Sequence, residues 1–472
     1  MEIGSVSHEK AGCFTNGLMW FKSLPGKLFA KLVEIAKQTK KIGKDDPRRV
    51  IHSLKVGLAL TLVSLFYYFQ ALYNNFGVSA MWAIMTVVVV FEFSVGATLG
   101  KGLNRGMATL LAGALGVGAH YLASATGKVA EPILLGLFVF LQAFTSTFIR
   151  FFPQVKARYD YGMLIFILTF CLVSISGFRV GEIVDMAHKR LSTILIGASV
   201  CVIVSIFVCP VWAGEDLHQL VAQNMEKLGK FLEGFGEEIS KSTEGEESKD
   251  AKTYMAEYKG VLNSKNAEEI LANFARWEPG HGQFKYRHPW KQYLKIGSLT
   301  RQCACRVDAL NGYINSEIKA PEEIKEITTK MSIESGKALK ELARSIKTMT
   351  SPLSANKHVS NAKTAAKNLK SLLISGFWED INLLEVIPVA AVASILTDIV
   401  ICVEEIAEAV NELASLAHFS SKDTKVDSSK ESNIEATQSR KIHACSQHVV
   451  LTIQEGAQVQ SSVQLTDQNM KL

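Results

Sequence analysis

Lys55, Lys101, Arg105 and Arg190 stand at or just inside the edges of long apolar stretches. A basic side chain at the centre of a bilayer costs roughly 2.5–3.5 kcal/mol on insertion scales, so at depth it needs a partner or water. Several such groups around one opening replace part of an ion's hydration shell without holding the ion irreversibly, which is how proteins build anion pores. For each residue singly, snorkelling to the interface or a structural salt bridge competes with that role. Together they indicate an anion pathway. Acidic partners are few, since residues 51–213 hold ten Lys or Arg against five Asp or Glu. Glu92 closes the second apolar stretch and Asp160 opens the fifth, while Glu131, Glu182 and Asp185 fall in connections.

Apolar helices must position these side chains. A bilayer core of about 30 Å takes roughly 20 mostly apolar residues, and six runs come close: 54–73, 78–95, 106–124, 133–149, 161–178 and 191–212. The 48% hydrophobic content and mean hydropathy of +0.16 average this apolar part with a polar one. The first 50 residues carry ten Lys or Arg against five acids and lack the roughly 7–15-residue apolar core of a signal peptide. A cytosolic N-terminus follows from the positive-inside rule. The inner connections then hold Lys101, Arg105, Arg150, Lys156 and Arg158, and the outer ones Lys128, Arg179, Lys189 and Arg190. Six crossings leave residues 213–472 inside, so the expected protein is multi-pass with both termini cytosolic.

Within residues 16–41, Leu28, Phe29, Leu32, Ile35 and Ala36 share one helical face opposite several lysines, as in a helix lying on anionic lipid. Pro25 and Gly26 interrupt that pattern and leave a solvated arm as the alternative. The third span repeats Ala108, Ala112 and Gly116 at i, i+4, i+8, a spacing that brings helix backbones close beside a pore or in ordinary packing. His120 continues the stripe as a packing residue. Cys303 and Cys305 have no second Cys/His pair at zinc-ligand spacing, so no metal site and no cofactor is expected.

After Trp212 the apolar period becomes that of amphipathic helices, predicted near 214–240, 251–275, 290–316, 321–350, 359–376 and 381–417. The apolar run 383–403 contains Glu385, Pro388 and Asp398, which favours the buried centre of a bundle over a seventh span. The expected fold is all-α: a six-helix transmembrane domain followed by a cytosolic helical bundle domain. The boundaries are a basic N-terminal segment with an amphipathic helix (1–50), a six-span channel domain (51–213), a cytosolic helical domain (214–419) and a polar, disordered tail (420–472).

The runs WAIMTVVVVFEFSVGATLGKGLNRG (82–106), FFPQVKARYDYGMLIFILTF (151–170), FVCPVWAGEDLH (207–218) and WEPGHGQFKYRHPWKQY (277–293) closely resemble the plant aluminium-activated malate transporter family over about residues 45–417. The resemblance implies a homodimeric channel for malate and inorganic anions such as chloride and nitrate, in contact with membrane lipid and not with nucleic acid. It further implies that both subunits line one pore with basic side chains at its centre, and it matches Arg105 and Arg190 to malate recognition. Its hallmark Trp277, Glu278 and Pro279 looks like a helix stop, Pro279 barring continuation and Gly280 and Gly282 permitting a reversal. Packing at that corner and a part in gating, together with Glu92, are the two roles open to it.

The expected membrane is the plasma membrane, with the tonoplast as alternative, and the expected flux is malate efflux under voltage or ligand control. Aluminium needs hard, charged oxygen ligands, by extension from calcium and magnesium. The outer connections offer only Glu131, Glu182 and Asp185, so weak or absent aluminium activation is expected. No GxSxG, HExxH, P-loop or GxGxxG in its proper context is present, which argues against an enzyme. A secondary active organic-anion transporter is the main alternative; its paired broken helices in inverted halves have no counterpart in the sequence. A membrane scaffold is a further one.

Overall fold

The computed structural model describes residues 30–31, 33–69, 80–127, 129–177, 183–240, 257–313, 321–374 and 383–420. The predicted tail over 420–472 and residues 16–29 of the basic helix lie, but for Ser420, outside these. The chain divides into two compact units, residues 1–57 and 58–472. In the first, residues 33–45 are helical with Ile35 and Ile42 exposed. The helix Pro47–Tyr68 (α1) then starts on a strong local signal. Asp46 accepts the Arg48 N–H (3.1 Å), and Pro47 occupies the first helical position, where a missing N–H costs nothing.

The second unit holds α1 from Leu58 onward, then Met81–Val90 (α2), Val95–Ser124 (α3), Ala130–Ile149 (α4), Pro153–Gly177 (α5) and Ile183–Phe207 (α6). Helix α3 is central and packs against α4, α5 and α6, while α2 lies on α6. Small residues permit both contacts. A Cβ on Gly197 would sit 2.6 Å from the Ala83 carbonyl, and one on Gly116 3.0 Å from Val173. The stripe of Ala108, Ala112 and Gly116 is therefore the face that α3 buries.

Among the described residues six helices are long and apolar enough to cross a membrane, but they are not the six expected from the sequence. The second expected span, 78–95, holds a helix of 10 residues, Met81–Val90; it stops where Phe91 turns extended (ψ 114°), and residues 70–79 lie outside the described ones. The third begins at Val95, well before 106, because Ser94 caps it by accepting the Ala97 N–H (3.3 Å). Lys101 and Arg105 lower the hydropathy of its opening turns. The sixth long apolar helix is 387–416, part of Leu383–Ala417.

Beyond Phe207 the chain forms Ala213–Ser240 (α7), Lys259–Leu262 (α8), Lys265–Ala275 (α9), Trp290–Asn311 (α10), Glu322–Thr348 (α11), Leu353–Ile374 (α12) and Leu383–Ala417 (α13). These pack as a helical bundle, α7 on α11 and α13 on α10, α11 and α12, around one apolar core. Gly229 and Gly336 let α7 and α11 touch backbone to backbone, since a Cβ on either would lie within 2.8 Å of the other's carbonyl oxygen. Among the described residues there is no strand, only isolated bridges such as His281 to Phe284.

What each apolar helix exposes separates the two regions. Helix α4 presents Ile133, Phe140, Leu141, Phe144 and Phe148 outward, an apolar belt that only lipid or a partner would cover. Helix α13 buries Leu396, Ile399, Val403, Ile406, Val410 and Leu413 and presents a mixed outer face, Ser394, Asp398, Glu405, Glu408 and Glu412 beside Ile387, Ile401 and Leu416. Most of its apolar length thus goes to the bundle core, and charged residues interrupt the face it exposes.

Candidate anion pathway

Arg105 lies on α3 and Arg190 on α6, both nearly fully buried (4% and 7% exposed). The Arg105 Nη1 donates to the Tyr161 hydroxyl at 3.0 Å, while its Nε is buried with no hydrogen-bond partner among the described residues. The Arg190 guanidinium lies 3.8 Å from the centroid of the Trp82 ring. The two charges act on each other electrostatically, so the fold has brought together residues far apart in sequence. Among the described residues neither Arg105 nor Arg190 is paired with a carboxylate.

Lys101 stands one helical turn before Arg105 and forms an ion pair with Glu92; it also lies 5.7 Å above the Tyr161 ring. The Lys101 charge is thus matched by Glu92. Thr98 fixes Glu92 from the backbone side, accepting the Glu92 N–H at 3.0 Å and donating to its carbonyl at 3.1 Å. Tyr161 is held by its neighbour, since Asp160 makes a two-point ion pair with Arg150 (2.7 and 3.2 Å) across the α4–α5 turn. Lys55 belongs to the first unit, where its side chain is 1% exposed.

Sequence reasoning passed over Trp82 and Tyr161. Both stand in the quoted runs WAIM and YDYG, and an aromatic ring next to a cation-rich membrane segment was the signal available.

The Trp277–Glu278–Pro279 corner follows α9. Glu278 is buried, and its carboxylate accepts the backbone N–H groups of Ala213 (2.6 Å) and Gly214 (3.0 Å), two orphan donors at the start of α7. The Gly96 N–H at the start of α3 bears on the same carboxylate. Trp277 packs where a Cβ on Gly100 would be, at 2.9 Å. One motif therefore joins the beginnings of α3 and α7. Burial is the larger influence and raises the Glu278 carboxyl to about 7, the neighbouring N–H groups opposing it. Gly282 takes the reversal with φ +52°, and Trp212 stacks on His281 at 3.8 Å, closing the corner. His218 and His288 flank the Tyr293 hydroxyl at 2.9 and 3.2 Å, and burial lowers both to about 4.

Among the described residues no group of three or more His, Cys, Asp or Glu side chains is arranged to hold a metal ion. Asp185 is taken by Lys189 (2.7 Å), and Glu131 lies 3.9 Å from His120.

The family model described as aluminium activated malate transporter matches residues 40–378. The chain belongs to that family. Aluminum-activated malate transporter 2 of Arabidopsis thaliana is 56% identical over 427 residues, covering 89% of this chain and 85% of the relative. Aluminum-activated malate transporter 1 of the same organism is 55% identical over 402 residues, covering 83% and 82%. Aluminum-activated malate transporter 1 of Triticum aestivum is 46% identical over 429 residues, covering 87% and 91%. Membership in the aluminium activated malate transporter family and the long apolar helices together make this a membrane protein.

Proposed function

We propose that the chain is a passive anion channel that carries malate, and with it chloride and nitrate, along a pathway walled by α2, α3, α5 and α6. The observation that carries this reading is the pair Arg105 and Arg190, buried within electrostatic reach of each other and without a carboxylate partner among the described residues. A positive field left uncompensated in a low-dielectric setting attracts anions and excludes cations. Tyr161 and Trp82 orient the two guanidiniums without neutralising them. The relatives' names as malate transporters support malate as the cargo.

In this reading two copies enclose the pore, a two-fold dimer being the commonest closed symmetry. Both termini and the bundle from α7 onward face the cytosol of a cell whose plasma membrane holds the protein. The acidic residues Asp398, Glu405, Glu408 and Glu412 exposed along α13 support placing the bundle in water. An inside-negative potential, worth about 2.3 kcal/mol per charge per 100 mV, drives malate outward. Aluminium activates weakly or not at all, the carboxylates Asp185 and Glu131 each having a basic neighbour. A proton-coupled carrier would use an unpaired buried carboxylate, and Glu92 is instead paired with Lys101.

The test is a current recording from cells loaded with malate, with external anions exchanged. Arg105→Ala and Arg190→Ala, at normal surface expression, each lower the malate current about tenfold or more, the scale of losing a charged contact of ~1.5–3 kcal/mol. Unchanged current and selectivity in both variants, or a reversal potential that follows potassium, refutes the reading.

A further inference from the structure

The corner built by residues 275–292 frames an open cleft of about 540 Å³, with Leu416 at its edge and Arg276, Lys285, Arg287 and Lys291 exposed. These basic side chains line it, and among the described residues none of the four is paired with a carboxylate. The Arg158 charge adds its repulsion at Arg276. The cleft's one carboxylate, Glu278, is occupied by the Ala213 and Gly214 N–H groups. Like charges that outnumber the single carboxylate around one opening raise the local potential and concentrate anions there.

The loop geometry adds a second observation. Arg287 has φ +63°, a left-handed conformation that costs a non-glycine residue roughly 1–2 kcal/mol. Strain of this kind persists where the surroundings impose it, and it clusters at ligand clamps. Here it holds the exposed Arg287 guanidinium 5.5 Å from the exposed ring of Tyr286. The volume lies in the range of small-molecule sites, roughly 300–1,000 Å³. Four positive charges exceed what a dicarboxylate can match, and two of them are guanidinium forks that fit phosphate oxygens in pairs.

We propose that this cleft binds a phosphate ester carrying two or more negative charges, its phosphates held by Arg276, Lys285, Arg287 and Lys291 beside the Tyr286 ring. Such a group arrives either on a soluble nucleotide or on the phosphorylated headgroup of a membrane lipid. The site contains none of the Arg105, Arg190 or Lys101 side chains, so it stands or falls apart from the pathway.

Full-length protein in detergent is titrated with metal-free ATP, with water-soluble dioctanoyl phosphatidylinositol 4,5-bisphosphate, and with dioctanoyl phosphatidylcholine as control, binding being read by thermophoresis. The wild type binds ATP, the phosphorylated lipid or both, more weakly as salt rises, and does not bind the control. Binding of ATP alone identifies the soluble source, and binding of the lipid alone the membrane source. The Lys285→Glu/Lys291→Glu variant and Arg287→Gly each weaken that binding at least tenfold. Arg287→Gly relieves the left-handed backbone while removing the charge, so its loss of binding cannot come from a misfolded loop. Failure of both phosphate probes to bind, or undiminished binding in both variants, overturns the site.

Discussion

The guanidinium of Arg190 lies 3.8 Å above the ring of Trp82. The ring comes from α2, the short helix that Gly197 allows to settle on α6, so a backbone contact on one side sets the cation's position on the other. A desolvated contact of this type is worth about 2 kcal/mol. Trp82→Leu should therefore weaken the apparent affinity for malate about three- to thirtyfold, read from the dependence of current on malate concentration. Trp82→Phe keeps a π face and should retain most of it; equal losses in both would show that the ring only fills space.

Tyr161 offers the matching prediction on the other arginine. Its hydroxyl receives the Arg105 Nη1–H at 3.0 Å. Tyr161→Phe removes that acceptor while keeping the ring beneath Lys101, and it should change anion selectivity with little effect on surface expression. A hydrogen bond to a charged group is worth about 1.5–3 kcal/mol, so a permeability ratio that stays constant between malate and chloride would count against Arg105 as a recognition residue.

Three buried titratable groups near the corner pull stability in opposite directions with pH. Glu278 is raised to about 7, so its folded state favours the proton, and its contribution is full below the ordinary carboxyl range and lost as pH rises through 7. His218 and His288 are lowered to about 4, so theirs is present above the ordinary imidazole value and lost as pH falls toward 4. Acidification from 7 to 4.5 thus weakens the bundle through the histidines and strengthens it through Glu278. Glu278→Gln removes only the compensating arm, so its melting temperature should fall more steeply over that interval than the wild type's. The difference corresponds to up to about 3 kcal/mol; parallel curves would mean that Glu278 is ionised throughout.

The contact between α7 and α11 predicts a graded glycine series. Gly229→Ala would drive a methyl to 2.7 Å from the Lys340 side chain and 2.8 Å from the Gly336 carbonyl, and should cost about 1–3 kcal/mol. Gly136→Ala on α4 meets nothing within 4 Å and should be neutral or stabilising by up to about 1 kcal/mol. Thermal unfolding of the purified variants measures both.

Periodicity marked most helices after Trp212, because an amphipathic helix writes its buried face into the sequence at 3.6-residue spacing, but it missed the break at Asn263 between α8 and α9 within 251–275 and the start of α12 at Leu353 rather than 359. It also pointed to a bundle role for 383–403, where Glu385, Pro388 and Asp398 interrupt the apolar run. Hydropathy failed where a helix carries cations in its own opening turns: α3 begins at Val95 and α6 at Ile183, ahead of the apolar stretches that mark them. Arg105 and Arg190 were visible as charges out of place. Their ring partners were not, because Trp82 and Tyr161 reach them only through helix packing. Pro279 was legible as a stop, whereas the grip of Glu278 on Ala213 and Gly214 joins residues too distant in sequence for any local pattern to record.

That grip has a consequence for biosynthesis. The start of α3 enters the membrane long before Glu278 has been translated, and at roughly 5–20 residues per second the delay is on the order of 10–40 s. Until then the amide of Gly96 and those at the head of α7 lack their shared acceptor. A chain truncated ahead of Glu278 keeps those amides without their acceptor, and it should reach the membrane yet be cleared faster than the full-length chain in a pulse-chase measurement.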